Sequence, residues 1–230
     1  MRPLLRIGGL LWLAAGGAWA GVVCTTGTVA SYAALGVSGC EIGGLTVSNL
    51  QFSATAYSRA AVVVDASAIS VTPVFGTGKL GLAFASAGFN LSGSDFVTYL
   101  LTFTWDPPAG DIRGLEDVLS ADSPIAPGYA TVTTNACRGL AFAGGICPGS
   151  TASVAVSDYG TSSTLVSATL FDPPVAVLDT RTVIQLDAKG ASSQINGWTE
   201  SVIVPEPAAW ALMAAGLLGL AMRRRHRRTT

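Results

Sequence analysis

Between Asp95 and Asp106 apolar and polar side chains alternate: Leu101, Phe103 and Trp105 fall on one face, Thr102 and Thr104 on the other. A period of two marks a strand buried on one side. Asn49–Ala56 repeats the pattern, with Leu50, Phe52, Ala54 and Ala56 set against Asn49, Gln51, Ser53 and Thr55. Residues 61–71 carry Val62, Val64, Ile69 and Val71, and Pro73 with Gly76-Thr77-Gly78 reads as their stop signal. Residues 80–85, 129–134, 153–156, 164–171, 175–186 and 195–204 supply further candidate strands. Turn signals separate them about every ten residues. This spacing predicts an all-β domain, an antiparallel two-sheet β-sandwich of jelly-roll-like form. Inside it only Leu115–Leu119 offers a short helix. Trp105-Asp106-Pro107-Pro108 and Phe171-Asp172-Pro173-Pro174 read as one device used twice. In each, an aromatic closes the core, Asp turns the chain and the prolines end the ladder.

Both ends of the chain are apolar. Met1–Ala20 has Arg2 and Arg6, then an apolar run from Ile7 to Ala15, then Ala18-Trp19-Ala20. Small residues at Ala18 and Ala20 are what a signal peptidase needs. The expectation is a signal peptide over 1–20, taken by the secretion translocon and cut to leave Gly21 first. Val23 stands before Cys24 where a lipoprotein signal wants a small residue. At the other end, Pro205-Glu206-Pro207 precedes an uncharged run from Ala208 to Met222, then Arg223, Arg224, Arg225, His226, Arg227 and Arg228. As a helix that run rises about 22 Å, short of a hydrocarbon core roughly 30 Å thick. It reads as a short transmembrane helix whose arginines stop transfer, stay cytoplasmic and snorkel to the interface.

This three-part end resembles the PEP-CTERM sorting signal of Gram-negative bacteria. The resemblance covers residues 205–230: the signature at 205–207, the transmembrane segment at 208–222 and the basic end at 223–230. It implies that an exosortase, a membrane-embedded cysteine protease, recognises Pro205, Glu206 and Pro207 and cuts nearby. It also implies a periplasmic domain held briefly at the inner membrane, then release to the cell surface or medium. Such proteins are associated with exopolysaccharide and biofilm matrix, and the same tail occurs on some ice-binding proteins. A tail kept as a plain anchor is the competing reading. Gly39-Cys40-Glu41-Ile42-Gly43 resembles a segment in one group of these proteins and implies no activity.

Residues 21–204 then form the exported domain. The whole-chain net charge of −1 hides its character, because the domain holds six basic groups against thirteen acidic ones. That balance works against nucleic-acid binding and leaves cations and neutral sugars as easier partners. Four cysteines in an exported chain point to disulfides. Cys24 with Cys40 and Cys137 with Cys147 is the pairing favoured by proximity, among three connectivities. No Cys-x-x-Cys spacing supports a metal site.

The one histidine, His226, sits in the basic tail, so the domain lacks imidazole for a hydrolase triad or a metal centre. No phosphate loop or Gly-x-Ser-x-Gly elbow occurs. Asp111, Glu116, Asp117 and Asp122 form an acidic stretch without EF-hand spacing; it reads as a solvated loop or edge strand, with calcium the only cofactor it suggests. The reading is an exported, non-catalytic surface or matrix protein without a cofactor. The alternative is a module binding polysaccharide or ice. Exposed aromatics such as Tyr57, Tyr159 and Trp198 would support sugar; Thr-x-Thr pairs at 102–104 and 131–133 in a flat array would support ice. A secreted glycosidase would need two close carboxylates from Asp106, Asp111, Glu116 and Asp117.

Overall fold

The computed structural model describes residues 21–58, 61–107, 111–120 and 127–205. The expected signal peptide over 1–20, Pro108, Asp122 and the sorting tail beyond Pro205 lie outside these residues. In chain order the strands are β1 (Gly27–Thr28), β2 (Cys40–Ile42), β3 (Leu45–Ala56), β4 (Ser70–Gly76), β5 (Lys79–Ala85), β6 (Asn90–Gly93), β7 (Phe96–Asp106), β8 (Ile112–Ser120), β9 (Tyr129–Arg138), β10 (Ser150–Asp158), β11 (Ser163–Thr164), β12 (Val166–Val175), β13 (Leu178–Asp187), β14 (Ala191–Gln194) and β15 (Gly197–Ile203). One sheet has six strands in the order β1-β4-β5-β15-β8-β12; the other has seven, β11-β10-β9-β13-β7-β3-β2. A β14-β6 pair closes one end. All ladders between named strands are antiparallel. The expected two-sheet sandwich is what the chain forms. Among the described residues no helix is long and apolar enough to cross a membrane.

Alternation builds the core. Along β7, Val97, Tyr99, Leu101, Phe103 and Trp105 are buried while the residues between them face outward. Strand β13 does the same with Leu178, Ile184 and Leu186. From the six-stranded sheet Leu82, Phe84, Leu115, Leu119, Trp198 and Val202 meet them. Phe84 stacks on Trp198 at 4.8 Å, and Phe89 meets Tyr99 edge-on at 5.2 Å. Full burial of each such side chain stabilises the fold by roughly 1.5–3 kcal/mol. The disulfides pair as favoured, Cys24–Cys40 and Cys137–Cys147.

Four local readings change. Strand β4 begins at Ser70 and runs through Pro73, whereas 61–69 holds irregular backbone and a 3-10 turn at Ala66–Ala68. Pro73 is tolerated because β1 pairs only with Ser70 and Val71, so the missing N–H faces an open edge. Leu115–Leu119 is strand, not helix. Glu116 and Asp117 of the acidic stretch lie in neither a loop nor an edge strand: β8 runs between β15 and β12. Finally, Phe171-Asp172-Pro173-Pro174 does not end its strand; β12 continues to Val175 across an irregularity between Leu170 and Val175.

Candidate functional site

The outward face of the seven-stranded sheet carries a groove at one end and an aromatic row at the other. At the groove end Gln51, Thr102, Arg181, Asn135 and Ser153 line up across β3, β7, β13, β9 and β10. The loop closed by Cys137–Cys147 rises beside Gln51, Thr102 and Arg181 and encloses about 480 Å³ with them, Thr104 and Asp179. Asp179 ties wall to floor: it accepts from the Phe142 N–H at 2.8 Å and from the Thr104 hydroxyl at 3.0 Å. Gly144 and Gly145 form the tip of the wall with φ of 57° and 80°, a turn that side-chain-bearing residues adopt reluctantly. Among the described residues Arg181 reaches only the Gly145 carbonyl, at 3.4 Å, so most of its donors stay open toward the groove.

At the other end Tyr57, Phe96, Asp187, Tyr129 and Tyr159 form a second cross-strand row. Tyr57 stacks on Phe96 at 4.8 Å, and Tyr159 lies 5.6 Å from Tyr129. Tyr57 is 64% exposed and Tyr159 46%. The Lys189 ammonium sits 4.6 Å over the Tyr129 ring. Burial pushes the Tyr129 phenol above its usual range, and the Asp187 carboxylate adds to this. The rows are six residues apart along β13, or roughly 20 Å. Such a face presents apolar ring faces at one end and donors and acceptors at the other.

The sequence candidates divide. Tyr57 and Tyr159 are exposed and share this face, but Trp198 is 1% exposed and packs in the core. Alternation places it there, in phase with Val202. The Thr-x-Thr pairs do face outward, yet β13 runs between them bearing Asp179, Arg181, Val183 and Gln185. The threonines therefore form no continuous array. Of the four candidate acids, Asp106 and Asp111 are exposed, and Glu116 faces outward with Lys79 at 2.6 Å. Asp117 alone points inward, where its cross-strand neighbour is Glu200, a residue the sequence reading passed over. Both are fully buried. This close acid pair has no opening through which a glycosidic bond could reach it. Among the described residues no three His, Cys, Asp or Glu side chains gather as a metal site.

The last strand ends at Ile203, and the chain continues from there into its C-terminal tail. The PEP-CTERM protein-sorting motif matches residues 204–225, so the chain carries the sorting tail of an exported protein that an exosortase handles. No curated protein sequence matches the chain. The solved structure of TmCBM61 in complex with beta-1,4-galactotriose is similar at 10% identity and a TM-score of 0.29, over 66% of this chain and 84% of that one.

Proposed function

We propose that this is a non-catalytic protein of the cell surface or extracellular matrix, associated with exopolysaccharide or biofilm. A signal peptide over 1–20 exports it, and an exosortase-like protease processes it at the tail. Pro205, Glu206 and Pro207 are the recognition residues, and the arginines from Arg223 to Arg228 hold the tail until the cut. One observation carries this reading: the motif begins at Val204, immediately after β15 ends at Ile203. The Val204 N–H still bonds the Gly78 carbonyl at 2.9 Å, so a cut beyond Pro207 leaves the sheet whole. Intact mass of the protein from cells with and without the protease tests it. The expected result is a shorter C-terminus only when the protease is present, and loss of processing in a Pro205→Ala/Pro207→Ala variant. An identical full-length C-terminus in both strains would end the proposal.

The second reading, polysaccharide binding, is favoured by the aromatic row sharing a face with the groove. Stacked rings supply rigid contact area at low entropy cost. Tyr57→Ala with Tyr159→Ala is expected to weaken retention on polysaccharide gels about tenfold or more, which corresponds to about 1.4 kcal/mol. Unchanged mobility on every polysaccharide tried, neutral and acidic, would remove this reading and leave the sorting proposal intact.

A further inference from the structure

A chain of hydroxyl groups crosses the core between the two sheets. Asp117 and Glu200 sit opposite one another on β8 and β15, both fully buried. From the facing sheet, the Thr134 and Thr182 hydroxyls lie 3.0 Å apart. The Thr182 hydroxyl is 2.6 Å from Glu200 Oε2, and the Trp105 indole N–H donates to Glu200 Oε1 at 3.3 Å. Neither Asp117 oxygen has a hydrogen-bond partner among the described residues.

The protons can be counted. Each threonine hydroxyl donates once. With both acids ionised, Thr182 gives its proton to Glu200 and Thr134 can give its own to Thr182, which leaves Asp117 a buried charge with no donor. One added proton on Asp117 closes the chain: Asp117 donates to Thr134, Thr134 to Thr182, and Thr182 to Glu200. The Trp105 N–H sets this direction, because a donor strengthens an ionised acceptor. Two facing buried carboxylates also resist ionising together, because burial strips each charge of water and the two repel.

We propose that Asp117, Thr134, Thr182 and Glu200 form a one-proton latch that ties the sheets together, so that the exported sandwich loosens in alkaline surroundings. Burial pushes both carboxyls upward, and the Glu200 charge raises Asp117 further. Other titratable groups on the packed strands are engaged elsewhere. Glu116 of β8, which also raises Asp117, faces out to Lys79 of β5. Tyr99 of β7 accepts from the Val64 N–H, Arg138 of β9 donates to the Pro173 carbonyl, and Asp158 of β10 accepts from the Gly160 N–H. A raised folded pKa means that folding takes up a proton. The latch contributes fully below the unfolded Asp value near 3.9 and is lost as pH rises through the folded value, with the folding constant falling about tenfold per unit.

The test is urea unfolding of the full chain across about pH 5 to 9, compared with Asp117→Asn, which offers Thr134 a fixed donor that does not titrate. The expected result is a tenfold-per-unit fall for the natural chain and a flatter profile for D117N. An infrared carbonyl band from a protonated carboxylic acid, present at neutral pH and missing in D117N, is the second readout. If D117N does not fold, Thr134→Val serves instead: it keeps both acids, and the band is expected to shift because its acceptor is gone. Equal pH slopes in the two chains, or no acid band at neutral pH, would overturn the latch. So would a melting temperature that drops when calcium is chelated, since a cation would then stand where the proton is placed.

Discussion

Trp105→Ala is expected to remove a large part of the domain's stability. Its side chain is fully buried, its ring meets Phe103 at 5.2 Å, and its N–H supports Glu200 at 3.3 Å. Truncation of a buried Trp costs about 3–5 kcal/mol through lost contacts and the cavity. Glu200 then loses one of its two direct donors in a dry core, which adds about 1–3 kcal/mol. A domain of this size is stable by about 5–15 kcal/mol in total. The measurement is exported yield together with the urea midpoint. Trp105→Phe separates the two losses, because it restores most of the volume and none of the hydrogen bonding. A W105A midpoint within about 1 kcal/mol of the natural chain would show that the cross-sheet contact at this position is dispensable.

The sandwich was legible wherever one face of a strand is apolar and the other polar. β3 and β7 follow the alternation read from residues 49–56 and 95–106, and Trp105 closes the core as the aromatic before Asp106 suggests. The tail was legible because its signal is linear. What escaped the reading had mixed faces. β8 carries Leu115 and Leu119 in phase with Asp117, so the inward face contains an acid, and the run resembles a solvated stretch. β15 has Trp198 and Val202 in phase with Glu200. Strict parity would have placed both acids inside, but only pairing brings them opposite each other, and pairing depends on strand order. The aromatic row was half visible for the same reason. Tyr57 and Tyr159 stand far apart in sequence, and Phe96 and Tyr129 join them only through the β7-β13-β9 register.

Replacing Cys137 and Cys147 together with alanine is expected to cost stability and the groove at once, whereas removing the other disulfide costs stability alone. Each bond closes a short loop, with sequence separations of 10 and 16, and contributes about 2–4 kcal/mol. Their surroundings differ. Cys24–Cys40 fastens the entry segment beside β2, where the Cys24 N–H already bonds the Glu41 carbonyl at 2.9 Å. Cys137–Cys147 anchors the wall over Thr104, Asp179 and Arg181. Without it that wall is fixed to the floor chiefly by the Phe142 N–H bond to Asp179 and the 3.4 Å contact from Arg181 to Gly145. Such a loop opens at little cost, so the groove loses its shape in solution. The comparison is a urea midpoint and a polysaccharide retention assay for each double variant. Both midpoints are expected to fall, with retention lost only in Cys137→Ala/Cys147→Ala. Full retention without the wall would place binding on the aromatic row alone, and equal loss in both variants would mean that general loosening, not the groove, governs it.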